Sequence, residues 1–294
     1  MKSNFNTLVK TTHLIEWNFY FEYLREIKYD TLNYDALWKW AGILDSVCKL
    51  YGEHPKFETC IDIGGGLSPI HLILSNYGNI KNIDDYSHSN GKLGSWFPVK
   101  GGKSPDLNIK ENVFYVESPG FHYVKENIEY INSDIIEYLQ SIPDNSIDLY
   151  VDGCSLIHVG PCSNYSFHDG ISDVMGHVHR TLKSGGYFIS TADVYNPIMK
   201  ERYPNLLRSD GITYSESLFK IFCDSGLIPL DDGDYEVEEF YKNIDNRIIS
   251  GPNSKKHTRL HPANSQNNHL PDYHAFSQIQ DFPMLIARFV FTKK

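Results

Sequence analysis

The sequence is poor in cysteine, and no two cysteines stand at a metal-binding or redox spacing. Its 294 residues contain five, which are Cys48, Cys60, Cys154, Cys162 and Cys223. The number is odd, the spacing is wide and no C-x-x-C occurs. The pattern therefore argues against a disulfide framework and against a thiolate zinc site.

The sequence also lacks an excess of basic residues and lacks any long apolar run. Its 27 basic and 37 acidic residues give a formal net charge of −10. Since such a surface repels phosphate backbones, we expect no nucleic-acid partner. The first 17 residues lack the apolar stretch of a secretory signal, and the apolar stretch from Pro283 to Phe291 is short and interrupted by Arg288. We therefore expect no membrane partner and a cytoplasmic location.

Apolar residues are abundant in the N-terminal region, where they recur at helical spacing. The stretch 12–51 predicts two or three helices, and Pro55 ends it. We predict a helical N-terminal cap over the active site, residues 1–56, followed by a catalytic domain, residues 57–294.

From Phe57 onward, short apolar segments alternate with helical patterns. The segments FETCIDI, NIKNID, YINSD, IDLYVDG and YFIST predict five strands. Such alternation is typical of a parallel sheet with right-handed crossovers. YEVEEFY and MLIARFVFT, with little helix between them, are candidates for an antiparallel pair at the sheet edge. We predict an α/β, Rossmann-like, mostly parallel seven-stranded sheet with an antiparallel C-terminal edge strand.

Two long polar stretches interrupt this rhythm, near residues 94–127 and 246–281. Loops of this length in a compact domain are uncommon and usually functional or disordered. We expect at least one of them to shape the site of a small-molecule substrate.

A glycine-rich turn follows the first strand of the alternating region. It reads Asp62-Ile63-Gly64-Gly65-Gly66. Glycines at a strand-to-helix turn let the backbone approach a ligand, and the helix beyond offers free N–H groups. The last glycine of the dinucleotide pattern G-x-G-x-x-G is missing, because Pro69 stands there. A carboxylate at Asp62 suits a positively charged amino-acid group and would oppose a pyrophosphate.

Acidic residues also end the second and third strands. Asp85, in Asp84-Asp85-Tyr86, stands where a carboxylate can hold a ribose diol, although a solvated turn aspartate is the simpler alternative. Asp134, before Ile135, can accept from an adenine amino group or cap a helix, and the two roles can coexist.

The order of these features resembles that of the class I S-adenosylmethionine-dependent methyltransferases. The resemblance rests on DIGGG, IDDY, NSDI, the stretch from Asp148 to His158 and the L-K-x-G-G turn from Leu182 to Gly186. Locally, Asp85-Tyr86, Asn90 and Trp96 look like the small-amine methyltransferases related to nicotinamide and phenylethanolamine N-methyltransferases. The resemblance implies S-adenosylmethionine as cofactor and methyl transfer to an oxygen or nitrogen of a small molecule. It further implies a set of cofactor-binding residues: Asp62, Gly64, Gly65, Gly66, Asp85, Tyr86, Asp134 and Ile135.

Two residues after the fourth strand are candidate catalytic groups. His158 lies at the carboxyl edge of the sheet, where open α/β folds bind ligands, and histidine is suited to base chemistry near neutral pH. Asp152 is a weaker candidate on the same edge, and a packing role for His158 remains open. Four histidines between residues 257 and 274 lie in a polar loop, but their spacing does not establish a metal site, and we predict none.

Two other functions remain open. A nucleotide-dependent oxidoreductase could use a related fold, although the missing third glycine disfavours it. A catalytically silent subunit that binds the cofactor is the second alternative, which the intact glycine and acidic motifs disfavour.

Overall fold

A computed structural model describes eleven segments of the chain. They are residues 5–8, 13, 16–26, 34–52, 54–66, 68–84, 122–159, 167–195, 213–235, 276–279 and 282–294.

The described residues form one mixed sheet. Its strands are β1 (Thr7–Leu8), β2 (Thr59–Ile63), β3 (Asn79–Asp84), β4 (Ile128–Asn132), β5 (Ile147–Asp152), β6 (Leu182–Tyr195), β7 (Ile228–Pro229), β8 (Phe276–Ile279) and β9 (Phe282–Thr292). The order across the sheet is β1-β9-β6-β5-β2-β3-β4, and β7 and β8 also pair with β9.

The five central strands run parallel, and the C-terminal strand runs against them. β4, β3, β2, β5 and β6 form parallel pairs, while β9 pairs antiparallel with β6 over nine residue pairs. This arrangement confirms the predicted Rossmann-like α/β fold. On its other side β9 carries the short strands β1, β7 and β8. The predicted strand YEVEEFY lies outside the described residues beyond Tyr235.

The chain leaves β2 in one direction and later returns to its other side. β3 and β4 follow on one flank of β2, whereas β5 and β6 follow on the other. In open α/β sheets, ligands bind at such a switch point, outside the carboxyl ends of the strands. A ligand site is therefore expected at the carboxyl ends of β2 and β5.

Helices cover both faces of the sheet. They are α1 (Asn18–Glu26), α2 (Tyr34–Tyr51), α3 (Ile70–Leu74), α4 (Ile135–Ser141), α5 (Phe167–Thr181) and α6 (Ser215–Asp224). Cys60 of β2 belongs to the apolar cluster shared with α1, α2 and α3, whereas Ile61 belongs to the cluster shared with α4, α5 and α6. Adjacent residues of a strand point to opposite faces, so one strand supplies both cores. Among the described helices, none combines the length and apolar character needed to cross a membrane.

A buried arginine connects the N-terminal helices to the last strand. The Nη1 atom of Arg288 on β9 lies 2.9 Å from Oδ2 of Asp45 on α2, and the Arg288 side chain is 1% exposed. Its guanidinium also lies over the ring of Trp17, 4.9 Å from the centroid. These helices share a core with the sheet. The boundary of the predicted cap at residue 56 stays a prediction.

Candidate active site

The glycine turn after β2 has a backbone that only glycine fits. Gly64 and Gly66 have φ angles of 55° and 46°, which is the left-handed region. A Cβ atom on Gly64 would lie 2.3 Å from Cβ of Ser155, and one on Gly65 would lie 2.2 Å from Oδ2 of Asp62. The turn therefore packs directly against its surroundings through bare backbone.

Three hydrogen bonds fix the carbonyl groups of this turn. Ser155, which follows β5, donates its hydroxyl to the Gly64 carbonyl at 2.7 Å. The Ser68 amide donates to the Gly65 carbonyl at 2.7 Å. Asn82 on β3 donates its Nδ2 to the Gly66 carbonyl at 3.3 Å. The strands on both flanks of β2 thus hold the turn between them.

Asp62 lies beneath the turn and is 2% exposed. Its Oδ2 accepts from the Ser68 hydroxyl at 3.3 Å and lies 3.7 Å from Nδ1 of His71. Burial raises the pKa of Asp62, and the hydrogen bond from Ser68 opposes this effect. This placement suits a carboxylate that supports the turn from inside.

Asp84, the last residue of β3, borders the same turn. A Cβ atom on Gly66 would lie 3.2 Å from its Oδ2. Asp85 and Tyr86, the residues predicted to bind a ribose, lie outside the described residues, as do Asn90 and Trp96.

Asp134 caps helix α4. Its Oδ1 accepts from the amides of Ile136 at 2.8 Å and of Glu137 at 3.2 Å. Ile135 is the first residue of the helix and packs, partly buried, against the core. The capping role considered for Asp134 is therefore present in the structure.

Asp152 is fully buried at the end of β5, and both of its oxygens are engaged. Oδ1 accepts from the amides of Ser155 at 2.7 Å and Leu156 at 3.2 Å, and Oδ2 accepts from the Ser190 hydroxyl at 2.7 Å. Burial raises the pKa of Asp152 to about 6, although these hydrogen bonds lower it. Asp152 thus holds in place the residue that supports Gly64.

His158 ends a 3-10 turn, Leu156–His158, whose first amide donates to Asp152. Its amide donates to the Ser155 carbonyl at 2.9 Å, and its side chain is exposed. Asp152 and His158 therefore belong to one loop. Asp152 is buried at the start of this loop, and His158 is exposed at its end.

Sequence reasoning missed a buried ionic cluster at the ends of β5 and β6. The Nζ atom of Lys39 on α2 donates to Oδ2 of Asp193 at 2.7 Å. Cys154 has a φ of 86°, an uncommon value for a residue with a side chain. Its sulfur accepts from the Asp193 amide at 3.3 Å, and its thiol faces Oδ2 of Asp193 at 3.6 Å. Burial raises the pKa of Cys154 to about 12, which argues against a nucleophilic thiolate.

The second oxygen of Asp193, Oδ1, takes no part in the ion pair with Lys39. Oδ1 is buried and has no hydrogen-bond partner among the residues that the structure describes. The ring nitrogen of Trp40 borders Gly153, directly after β5, since a Cβ atom on Gly153 would lie 3.1 Å from it. The sequence could have indicated Asp193 as a site residue, because it follows the predicted strand YFIST. No neighbouring residue indicates Lys39 as its partner.

Within the described ranges, no group of three or more His, Cys, Asp or Glu side chains could hold a metal ion. The histidine-rich loop, residues 257–274, lies outside them. The insertion near 94–127 is described only from residue 122, and that near 246–281 only at 276–279.

The chain matches no family model and no curated protein in sequence. Among solved structures, it is similar to the YcgJ protein of Bacillus subtilis, with 14% identity and a TM-score of 0.45 over 87% of this chain and 98% of that one. It is also similar to an arsenic (III) S-adenosylmethionine methyltransferase from Chlamydomonas reinhardtii, with 13% identity and a TM-score of 0.41 over 82% of this chain and 65% of that one.

A third similar structure is phosphoethanolamine N-methyltransferase 2 of Haemonchus contortus, with 15% identity and a TM-score of 0.44. That match covers 84% of this chain, which spans about half, 51%, of the Haemonchus protein.

Proposed function

We propose that this chain binds S-adenosylmethionine at the Gly64–Gly66 turn and transfers its methyl group to an oxygen or nitrogen of a small-molecule acceptor. The observation that carries this proposal is the turn itself. It stands at the switch point of the sheet, its carbonyl groups are bound from inside, and a side chain on Gly64 or Gly65 would collide with its neighbours.

The proposed cofactor would extend from this turn along the carboxyl ends of β2, β3 and β4. Its methionine end would lie at the glycines, above the buried Asp62. Its ribose would be held by Asp85, with Asp84 beside Gly66 as the alternative. Its adenine would lie near Asp134 and Ile135, at the start of α4.

When bound, S-adenosylmethionine supplies a methyl group that its positive sulfur has already activated. The residues of this chain therefore have to bind, align and dehydrate the reactants. Such positioning can contribute roughly 7–11 kcal/mol to lowering the barrier.

The acceptor would lie at the ends of β5 and β6, next to Asp193. A buried carboxylate oxygen without a partner is costly, so Oδ1 of Asp193 is suited to receive an N–H or O–H of the acceptor. Lys39 balances the charge of Asp193, so the pair as a whole is neutral. This favours an uncharged acceptor that donates a hydrogen bond.

We further propose His158 as the group that takes a proton from a hydroxyl acceptor. Its side chain is exposed, at the end of the turn that follows β5. The engaged oxygens of Asp152 suit it to hold that turn rather than to accept the proton. The resemblance to small-amine methyltransferases would make the acceptor an amine, which needs less base catalysis.

Calorimetric titration with S-adenosylhomocysteine and with NAD tests the cofactor. We expect saturable binding of the first and none of the second. The reverse result would replace the proposal by an oxidoreductase. Methyl transfer from labelled S-adenosylmethionine to a panel of small amines and hydroxyl compounds tests catalysis, and binding without transfer to any of them would favour the silent subunit.

A further inference from the structure

Four polar side chains are buried together beneath the glycine turn. Asn82, Asp62, His71 and Ser68 are 0%, 2%, 3% and 7% exposed. Buried polar groups are costly unless they are hydrogen-bonded, so the bonds in this group must be consistent with one another. The proposed function assigns no role to His71 or Asn82.

Asn82 connects the turn to His71. Its Nδ2 lies 3.3 Å from the Gly66 carbonyl and 2.8 Å from Nδ1 of His71. An amide nitrogen has two N–H donors and no acceptor. Asn82 therefore donates one hydrogen to Gly66 and the other to the imidazole.

This geometry assigns the proton of His71. Since Nδ1 accepts from Asn82, the neutral ring carries its hydrogen on Nε2. Nε2 lies 2.9 Å from the hydroxyl of Tyr130 on β4, and the two rings meet edge to face. His71 is thus held from both sides, by β3 and by β4.

We propose that Asn82 and His71 are positioning residues for the cofactor, which set the conformation of the glycine turn from beneath it. The inference rests on the proposed function, because the turn is taken as the cofactor site. His71 acts through Asn82: its ring fixes the amide, and the amide fixes the Gly66 carbonyl. A Cβ atom on Gly65 would lie 2.8 Å from Nδ2 of Asn82, so this amide packs directly against the backbone of the turn.

Four variants test the pathway by their affinity for S-adenosylhomocysteine in calorimetry. Asn82→Asp removes both donors, and His71→Phe removes the acceptor that orients Asn82. We expect each to raise Kd by about tenfold or more. His71→Asn places an oxygen near the position of Nδ1 and should keep Kd within about threefold of the native value, as should Tyr130→Phe, which removes only the outer partner.

Tyr150→Phe is the control for a general loss of stability. It removes a buried hydrogen bond to Thr181 of 2.6 Å on the opposite face of the sheet. We expect a lower Tm with unchanged Kd. Native Kd values in both Asn82→Asp and His71→Phe would overturn the inference and leave the proposed function standing. Absence of binding by the native protein would reject the proposed function itself.

The tautomer of His71 provides a second measurement, made on the native protein and independent of Kd. Nitrogen-15 NMR at neutral pH, with the signal assigned by its loss in His71→Asn, should show the hydrogen on Nε2. A hydrogen on Nδ1 would overturn the inference, since Asn82 could then not donate to the ring.

Discussion

The Nζ atom of Lys39 lies 2.7 Å from Oδ2 of Asp193, and the two side chains are 7% and 9% exposed. Lys39 belongs to α2 and Asp193 to the carboxyl-terminal half of β6. The pair therefore connects an N-terminal helix to the edge of the sheet where the acceptor is proposed to bind. Both stability and acceptor binding depend on it in our proposal.

Removal of one partner should destabilise the fold. Lys39→Met leaves the buried charge of Asp193 uncompensated, and we expect a loss of about 3–5 kcal/mol in the free energy of unfolding, measured with urea. Lys39→Met combined with Asp193→Asn should recover much of it. The matched control is Lys220→Met, whose partner Asp224 is exposed, where the cost should stay under about 1 kcal/mol. Equal losses in the two single variants would contradict a buried ion pair.

Asp152 should make stability fall as the pH rises. Its pKa is about 6 in the folded chain, against about 3.9 for an unfolded aspartate. Between these values the folded state holds a proton that the unfolded chain has lost. Its contribution is therefore complete below about pH 4 and is lost as the pH rises through 6.

Asp152→Asn removes this dependence, because the amide does not titrate. Relative to the native protein, the variant should gain roughly 1 kcal/mol of unfolding free energy between pH 5 and pH 7.5. Urea unfolding of both proteins at the two pH values measures the difference. A difference that is constant with pH would show that Asp152 titrates normally.

Gly64→Ala should abolish most cofactor binding. The added methyl group meets Ser155 at 2.3 Å, and the φ of 55° disfavours any side chain. Gly185→Ala is a matched control, because Gly185 has a φ of 76° and nothing within 4 Å of the added atom. Both variants should lose about 1 kcal/mol of stability from the backbone. Only Gly64→Ala should raise Kd for S-adenosylhomocysteine by more than about tenfold, and an equal Kd in both would remove the turn from the site.

Asp85→Ala should weaken cofactor binding by about 1.5–3 kcal/mol for each charge-assisted hydrogen bond lost to the ribose. Asp84→Ala serves as its neighbour control in the same calorimetric titration. If only the Asp84 variant loses affinity, the ribose role moves to Asp84, whose carboxylate borders Gly66.

His158→Asn distinguishes the two classes of acceptor. With a hydroxyl acceptor, loss of the base should lower kcat by roughly 10²–10⁴ and spare cofactor affinity. With an amine that binds neutral, the loss should be about tenfold or less. Because the side chain is exposed, Tm should not change. Native turnover on a hydroxyl acceptor would exclude His158 as the base.

The alternation of short apolar strands with helices was sufficient to predict the parallel sheet and the direction of its last strand. This signal is local, because the side-chain period of each segment indicates its secondary structure. The glycine turn was found for the same reason, since Gly64 and Gly66 are adjacent to the strand they follow. Where the local signal was weaker, the boundaries moved: the L-K-x-G-G turn expected from Leu182 to Gly186 lies inside β6, which begins at Leu182.

The partners of the site residues were decided only by the tertiary structure. Lys39 and Asp193 are 154 positions apart, and Ser155 reaches Gly64 across 91. The sequence also did not indicate whether Asp62 is exposed or buried, and it did not connect His71 with Asn82. Such contacts depend on which strands become neighbours and which face each side chain takes. A residue's own sequence neighbourhood does not contain that information, because burial and pairing are properties of the packed sheet as a whole.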